Sequence, residues 1–211
     1  MASSRPGRAA RKPADRYHHG DLRRALVQEA VRTIQAKGVD AFTLRAVGLK
    51  LGVSRTALYR HFADKAALLA AVAGEGFHTL RVQLVEAWEQ GGRGVEAFEA
   101  MGTAYVRFAM ANPSYYRVMF GGFVHDSTAD PELAREGAGA FHALVDAIVA
   151  LQQNGLMRRD EPLQMARFIW TVVHGVAMLT IDGRLGLRAV ETDEFVRYAL
   201  TRLRTGIAKA R

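Results

Sequence analysis

Between Thr43 and Lys65 the chain reads TLRAVGLKLGVSRTALYRHFADK, a set of side chains suited to recognition by charge and hydrogen bonds rather than to covalent catalysis. Arg55 carries the fork of donors that matches the O6 and N7 edge of guanine, and Thr56 and Ala57 can touch a thymine methyl. Tyr59 can meet a phosphate or a base face. Arg60, His61 and Lys65 fall nearer a nucleic-acid backbone, where charge sets position rather than sequence. Thr43 and Arg45 open a second helix whose amide, hydroxyl and cation together suit a phosphate. Charged residues at helical spacing are more often just a solvated face, so this reading needs support from the rest of the chain.

The elements around these residues supply part of it. Leu22, Leu26, Val27, Ala30, Val31 and Ile34 recur at helical spacing after Asp21, and Lys37-Gly38 makes a cationic, glycine-terminated end. Thr43 has the chemistry of a cap for a short second helix with Leu44, Val47 and Leu51 inward, and Gly52 suits the left-handed residue that ends it. Ser54 can cap a third helix in which Leu58 and Phe62 face inward, leaving Arg55, Thr56, Tyr59 and Arg60 outside. Asp64 can cap a long fourth helix running towards Glu89. The connection at Gly52-Val53 is short enough to force the steep crossing of a helix-turn-helix.

Charge supplies the rest. Residues 1–65 carry 14 Lys and Arg against 5 Asp and Glu, whereas residues 66–211 carry 15 against 16, so the whole excess of +8 lies in the N-terminal segment. A surplus confined to one segment is the footprint expected for a polyanion. Residues 1–16, with Arg5, Arg8, Arg11, Lys12 and Arg16, are expected to be a disordered basic arm able to follow a DNA backbone or enter the minor groove. Residues 17–65 are then the helix-turn-helix domain, and residues 66–211 a second, neutral, helical domain.

That second domain reads as helix throughout, giving an all-α fold. Gln90 to Gly94 is a break, Asn112-Pro113 and Asn154-Gly155 end helices, Pro131 suits a first helical position, 162–185 is the most apolar segment, and Thr192 is placed to cap the last helix. Apolar residues encircle 162–185 instead of forming one stripe, which calls for burial on more than one side. A second subunit would provide it, with Val172, Val176, Leu179, Phe195, Tyr198, Ala199 and Leu203 as interface candidates. Gly175, Ala177 and Gly183 are small enough to let another helix approach. For a cavity that takes a small, largely apolar effector, the candidates are Met101, Tyr105, Phe108, Tyr116, Met119, Phe120, Phe141, Trp170, His174 and Met178. His174 would be its polar anchor.

Other classes find little support. The chain has no cysteine, which suits a reducing cytoplasm, and it shows no nucleophile elbow, phosphate-binding glycine loop or His-Glu-x-x-His pattern, so no enzyme, metal or cofactor is expected. His142 and Asp146 share a helix face, but two ligands do not make a metal site. The apolar segment is interrupted by Arg167, Thr171, His174 and Thr180, and no membrane span is read.

YHHGDLRRAL and FTLRAVGLKLGVSRTALYRHFADKAALLAAV resemble the DNA-binding domain of the tetracycline-repressor (TetR) family over residues 17 to 73. WTVVHG at Trp170 to Gly175 is similar to the Trp-His-Gly signature of one C-terminal domain type in that family. The resemblance implies a homodimeric regulator, a palindromic double-stranded DNA operator, and a helical core that binds a small inducer and weakens DNA binding. Gly48 departs from the alanine more usual in the family and costs the second helix about 1 kcal/mol of intrinsic propensity. The alternatives are an architectural DNA-binding dimer without effector control, and a small-molecule carrier with an incidental basic head.

Overall fold

A computed structural model describes residues 19–123 and 130–207, and among these the chain forms nine helices and no strand. The arm expected at 1–16 lies outside the described residues. The helices are α1 (His19–Lys37), α2 (Leu44–Lys50), α3 (Arg55–His61), α4 (Lys65–Gln90), α5 (Val95–Ala111), α6 (Pro113–Phe120), α7 (Pro131–Gln153), α8 (Pro162–Ile181) and α9 (Ala189–Ile207).

The head is built as its spacing dictates. Leu26, Val27, Ala30 and Ile34 of α1 are buried against Leu44, Val47, Leu58 and Phe62. Each of the Leu, Val, Ile and Phe side chains contributes about 1.5–3 kcal/mol when fully buried. Thr43, Ser54 and Asp64 all cap as expected, their side chains accepting the amides of Ala46, Ala57 and Ala67. Gly52 adopts φ +65°, Val53 N–H reaches back to Gly48 O, and Gly52 N–H to Leu49 O. This double bond ends α2 and leaves Ser54 to start α3 at once. Gly48 is buried, and a methyl group there would come within 2.9 Å of Leu58 Cδ2. The propensity lost at Gly48 therefore accompanies a close approach of α2 to α3.

α4 joins head to body. At 26 residues it is about 39 Å long. Its first half, Leu68 to Ala73, lies in the head core, and Leu80 and Leu84 lie in the body core. α7 packs along it. The N-terminal end of α7 also reaches the head: Leu133 is buried in the head core, and Glu132 pairs with Arg23 of α1 at 3.5 Å.

Three expectations in the body need correction. The last helix starts at Ala189, so Thr192 is inside it, with its hydroxyl donating to Arg188 O, while Glu191 accepts the Arg188 N–H. α8 stops at Ile181 rather than 185, because Gly183 at φ +64° lets Arg184 N–H bond Leu179 O. Gly183 thus ends a helix instead of admitting a neighbouring one. Ala177 is wholly buried within its own chain, so its small size serves internal packing. α8 is long and apolar enough to cross a membrane by length and composition, but its Met165, Ile169, Val173 and Ala177 face is buried in the body core.

Candidate nucleic-acid interface and body cavity

The helix-turn-helix brings most of the expected recognition residues to one exposed surface. Arg55, Thr56, Tyr59 and Arg60 of α3 are exposed, Ala57 and His61 are half-buried, and Thr43 and Arg45 stand exposed at the start of α2. The Arg55 guanidinium lies 5.6 Å from the Tyr59 ring centroid, a contact that orders the cation without neutralising it. Neither Arg55 nor Arg45 has a carboxylate partner among the described residues. Thr43 accepts the Ala46 amide, which leaves its own hydroxyl proton able to donate.

Lys65 is placed differently. Its ammonium donates to Val39 O at 3.0 Å and lies 5.7 Å from the Phe42 ring centroid, so it ties α4 to the loop before α2. Lys50, outside the expected recognition set, pairs with buried Glu29 at 2.9 Å. The Lys50 hydrogen bond, against the opposing effect of burial and aided by Thr33 and Arg32, holds the Glu29 carboxyl below the usual carboxylate range. Lys50 and Lys65 are thus held within the head, while Arg45 and Arg55 stay exposed at the starts of α2 and α3.

The body holds a cavity of about 680 Å³. Met101, Tyr105, Met119, Phe120, Phe141 and Trp170 line it, as the sequence suggested. Phe108, Tyr116, His174 and Met178 do not line it. Phe108 and Tyr116 are fully buried core residues, and Met178 packs against the core from a half-buried position. His174 stands behind the wall: its Nδ1 is 2.7 Å from the Tyr116 hydroxyl and 3.1 Å from that of Tyr105. Tyr116 donates to the Tyr105 oxygen at 3.0 Å, and Trp170 Nε1–H donates to the same oxygen at 3.1 Å. Burial pushes Tyr105 up to about 12, raises Tyr116, and lowers His174, so the group is uncharged near neutral pH. Of the two tyrosines bonded to His174, only Tyr105 lines the cavity.

Sequence reasoning missed how the cavity is kept open. Ala134, Gly137, Ala138 and Ala140 of α7 face it, and the run EGAGA at 136–140 was the available signal, since small residues on an inward helix face leave space. Buried Glu136 in that run joins α7 to α4 through Arg81 at 3.0 Å and His78 at 3.2 Å. Burial alone would raise its pKa, but the bonds from Arg81, His78 and Arg135 outweigh it and keep the carboxyl below its usual range.

On the outer side of the body, Phe168, Leu179 and Tyr198 are exposed, Val172, Val176, Phe195 and Ala199 are half-buried, and a methyl group on Gly175 would meet open space. Leu203 departs from the expected interface: it is buried and lines the cavity, because the Leu200, Leu203 and Ile207 stripe of α9 turns inward. Among the described residues no three His, Asp or Glu side chains gather as a metal site.

A helix-turn-helix head carrying unneutralised cations, set on a helical body with an apolar cavity, defines a DNA-binding transcription regulator. The family model described as "Bacterial regulatory proteins, tetR family" matches residues 26–72, and "Tetracyclin repressor-like, C-terminal domain" matches residues 98–203. The chain belongs to the TetR family. The uncharacterized HTH-type transcriptional regulator YobS of Bacillus subtilis is 26% identical over 187 residues, covering 86% of this chain and 88% of its own. The structure of a protein with unknown function from Rhodococcus sp. RHA1 is 31% identical with a TM-score of 0.81, over 93% of this chain and all of that one. The ketosteroid transcriptional regulator KstR2 of Mycobacterium tuberculosis shares the fold, with a TM-score of 0.62 at 17% identity over 90% of this chain and 96% of its own.

Proposed function

We propose that this regulator is a cytoplasmic, homodimeric repressor that leaves a palindromic operator when a small effector fills the body cavity. The observation that carries the effector part is a shared wall: Ala73, Val118 and Leu133 belong both to the core beneath the DNA-binding helices and to the lining of the cavity. A ligand that displaces these side chains does work on the head. Arg55, Thr56 and Ala57 read bases, Tyr59 contacts a base or phosphate, and Thr43, Arg45, Arg60 and His61 hold phosphates. Lys65 contributes through the loop it ties down. The exposed α8–α9 face pairs two subunits, burying Phe168, Val172, Val176, Leu179, Phe195 and Tyr198, and WTVVHG at Trp170 to Gly175 makes the body one of the Trp-His-Gly type. The working boundary between DNA-binding and effector domains falls near residue 65.

An effector shifts the balance only by its difference in affinity for the bound and released states, so a tenfold loss of operator affinity needs about 1.4 kcal/mol of coupling. The test is a compound screen against the protein on a fluorescent operator duplex. Release by a compound that also protects the protein from thermal unfolding supports the reading. A dimer that holds its operator against every cavity-binding compound is an architectural protein, and the reading fails.

A further inference from the structure

Among the described residues the cavity wall carries three charged side chains, Glu99 of α5, Arg167 of α8 and Arg204 of α9. Two of them form an ion pair, with Arg204 Nε 2.5 Å from Glu99 Oε1. Arg167 has no carboxylate or other side-chain partner among the described residues. It sits one turn before Trp170, another lining residue of α8, and it is exposed. The rest of the lining is aliphatic, aromatic or small.

From this arrangement we infer that the effector is an amphipathic carboxylate, its apolar body in the cavity and its anionic end on the Arg167 guanidinium. This rests on the reading of the cavity as the effector site. At interior packing density a space of 680 Å³ accommodates a molecule of roughly 20 to 30 non-hydrogen atoms. Arg167 can hold a carboxylate through two parallel donors, the geometry that distinguishes guanidinium from a point charge. A cationic ligand meets a like charge at Arg167, because Glu99 is already paired with Arg204. A neutral ligand of the same shape leaves Arg167 hydrated, so it binds through the apolar contacts alone. Charge at Arg167 therefore selects among ligands that fit equally well.

Three probes of one chain length separate these cases: dodecanoate, dodecan-1-ol and dodecylamine, each below its micellar concentration, titrated into the full-length protein and followed by tryptophan fluorescence, since Trp170 is in the wall. Dodecanoate should bind about tenfold more tightly than the alcohol, with the amine weakest. Arg167→Gln should bring dodecanoate down to the level of the alcohol and leave the alcohol unchanged. Arg167→Glu should reverse the order, favouring the amine. Because Arg167 is exposed, both variants should melt with the parent protein. Equal binding of carboxylate and alcohol by the parent protein, or an equal loss for all three probes in Arg167→Gln, overturns the anionic class while the cavity remains a ligand site. Failure of all three probes to bind overturns the cavity reading as well.

Discussion

Removing one guanidinium, in Arg55→Ala, should abolish sequence preference while sparing both the fold and the general attraction to DNA. Arg55 is exposed, stacked on Tyr59 at 5.6 Å and free of any carboxylate partner among the described residues. Its loss costs the isolated protein only an exposed cation–π contact of about 0.5–1 kcal/mol. On a cognate duplex each well-made bidentate pair with guanine is worth about 1–3 kcal/mol. In the proposed dimer two heads double this to about 2–6 kcal/mol, or roughly 30-fold to 10⁴-fold in affinity. Fluorescence anisotropy on the selected duplex and on a scrambled one, at several salt concentrations, reads both quantities. The specific complex should weaken by that factor, the scrambled one by far less, and the slope of log affinity against log salt should hardly change. An equal loss on both duplexes, with the slope reduced by about one per head, would mean that Arg55 holds a phosphate and that another residue reads the sequence.

Other perturbations test the parts that support the head and the cavity. Leu133→Ala removes a buried side chain that the head core and the cavity share; chemical denaturation should show a loss of about 2–3 kcal/mol, and a loss under 0.5 would separate α7 from the head. Lys50→Met leaves buried Glu29 with weaker partners. It should cost about 1 kcal/mol near pH 7 after allowance for the half-exposed lysine. The lowered pKa of Glu29 supplies stability above the ordinary carboxylate range that fades as pH falls through it, so the variant should lose less than the parent between pH 5 and 3. His174 is held neutral by burial, so the unfolded chain binds the extra proton and stability should fall as pH drops from 7 to 5. His174→Gln should flatten that decline, and an unchanged slope would remove His174 as its source.

Much of the head was legible because its signals are local. Thr43, Ser54 and Asp64 cap through their own short side chains, and Gly52 ends α2 by a backbone conformation that glycine favours. Confinement of charge to the N-terminal segment was equally visible. What stayed hidden depends on pairs distant in sequence. Lys50 reads as one more surface cation until α1 brings Glu29 beneath it. His174 reads as a cavity anchor until Tyr105 and Tyr116 are found between it and the space. Leu203 reads as interface because helical periodicity gives a stripe but not which neighbour, α5 or a second subunit, the stripe meets. The α7 glycines and alanines give little signal in the sequence because an empty space is recorded by small side chains, which carry no chemistry of their own. Thr192 reads as a cap because a hydroxyl that can cap can also bond back to the preceding turn, and Glu191 beside it takes the free amide.

The most direct measurement is selection of bound duplexes from a random pool by the purified full-length protein, followed by affinity at stepped salt concentrations. Enrichment is expected of an inverted repeat whose half-sites lie about one helical turn apart or a multiple of it, bound with a steep salt dependence. Recovery of no preferred sequence even at low salt, or an affinity that hardly responds to salt, would contradict it.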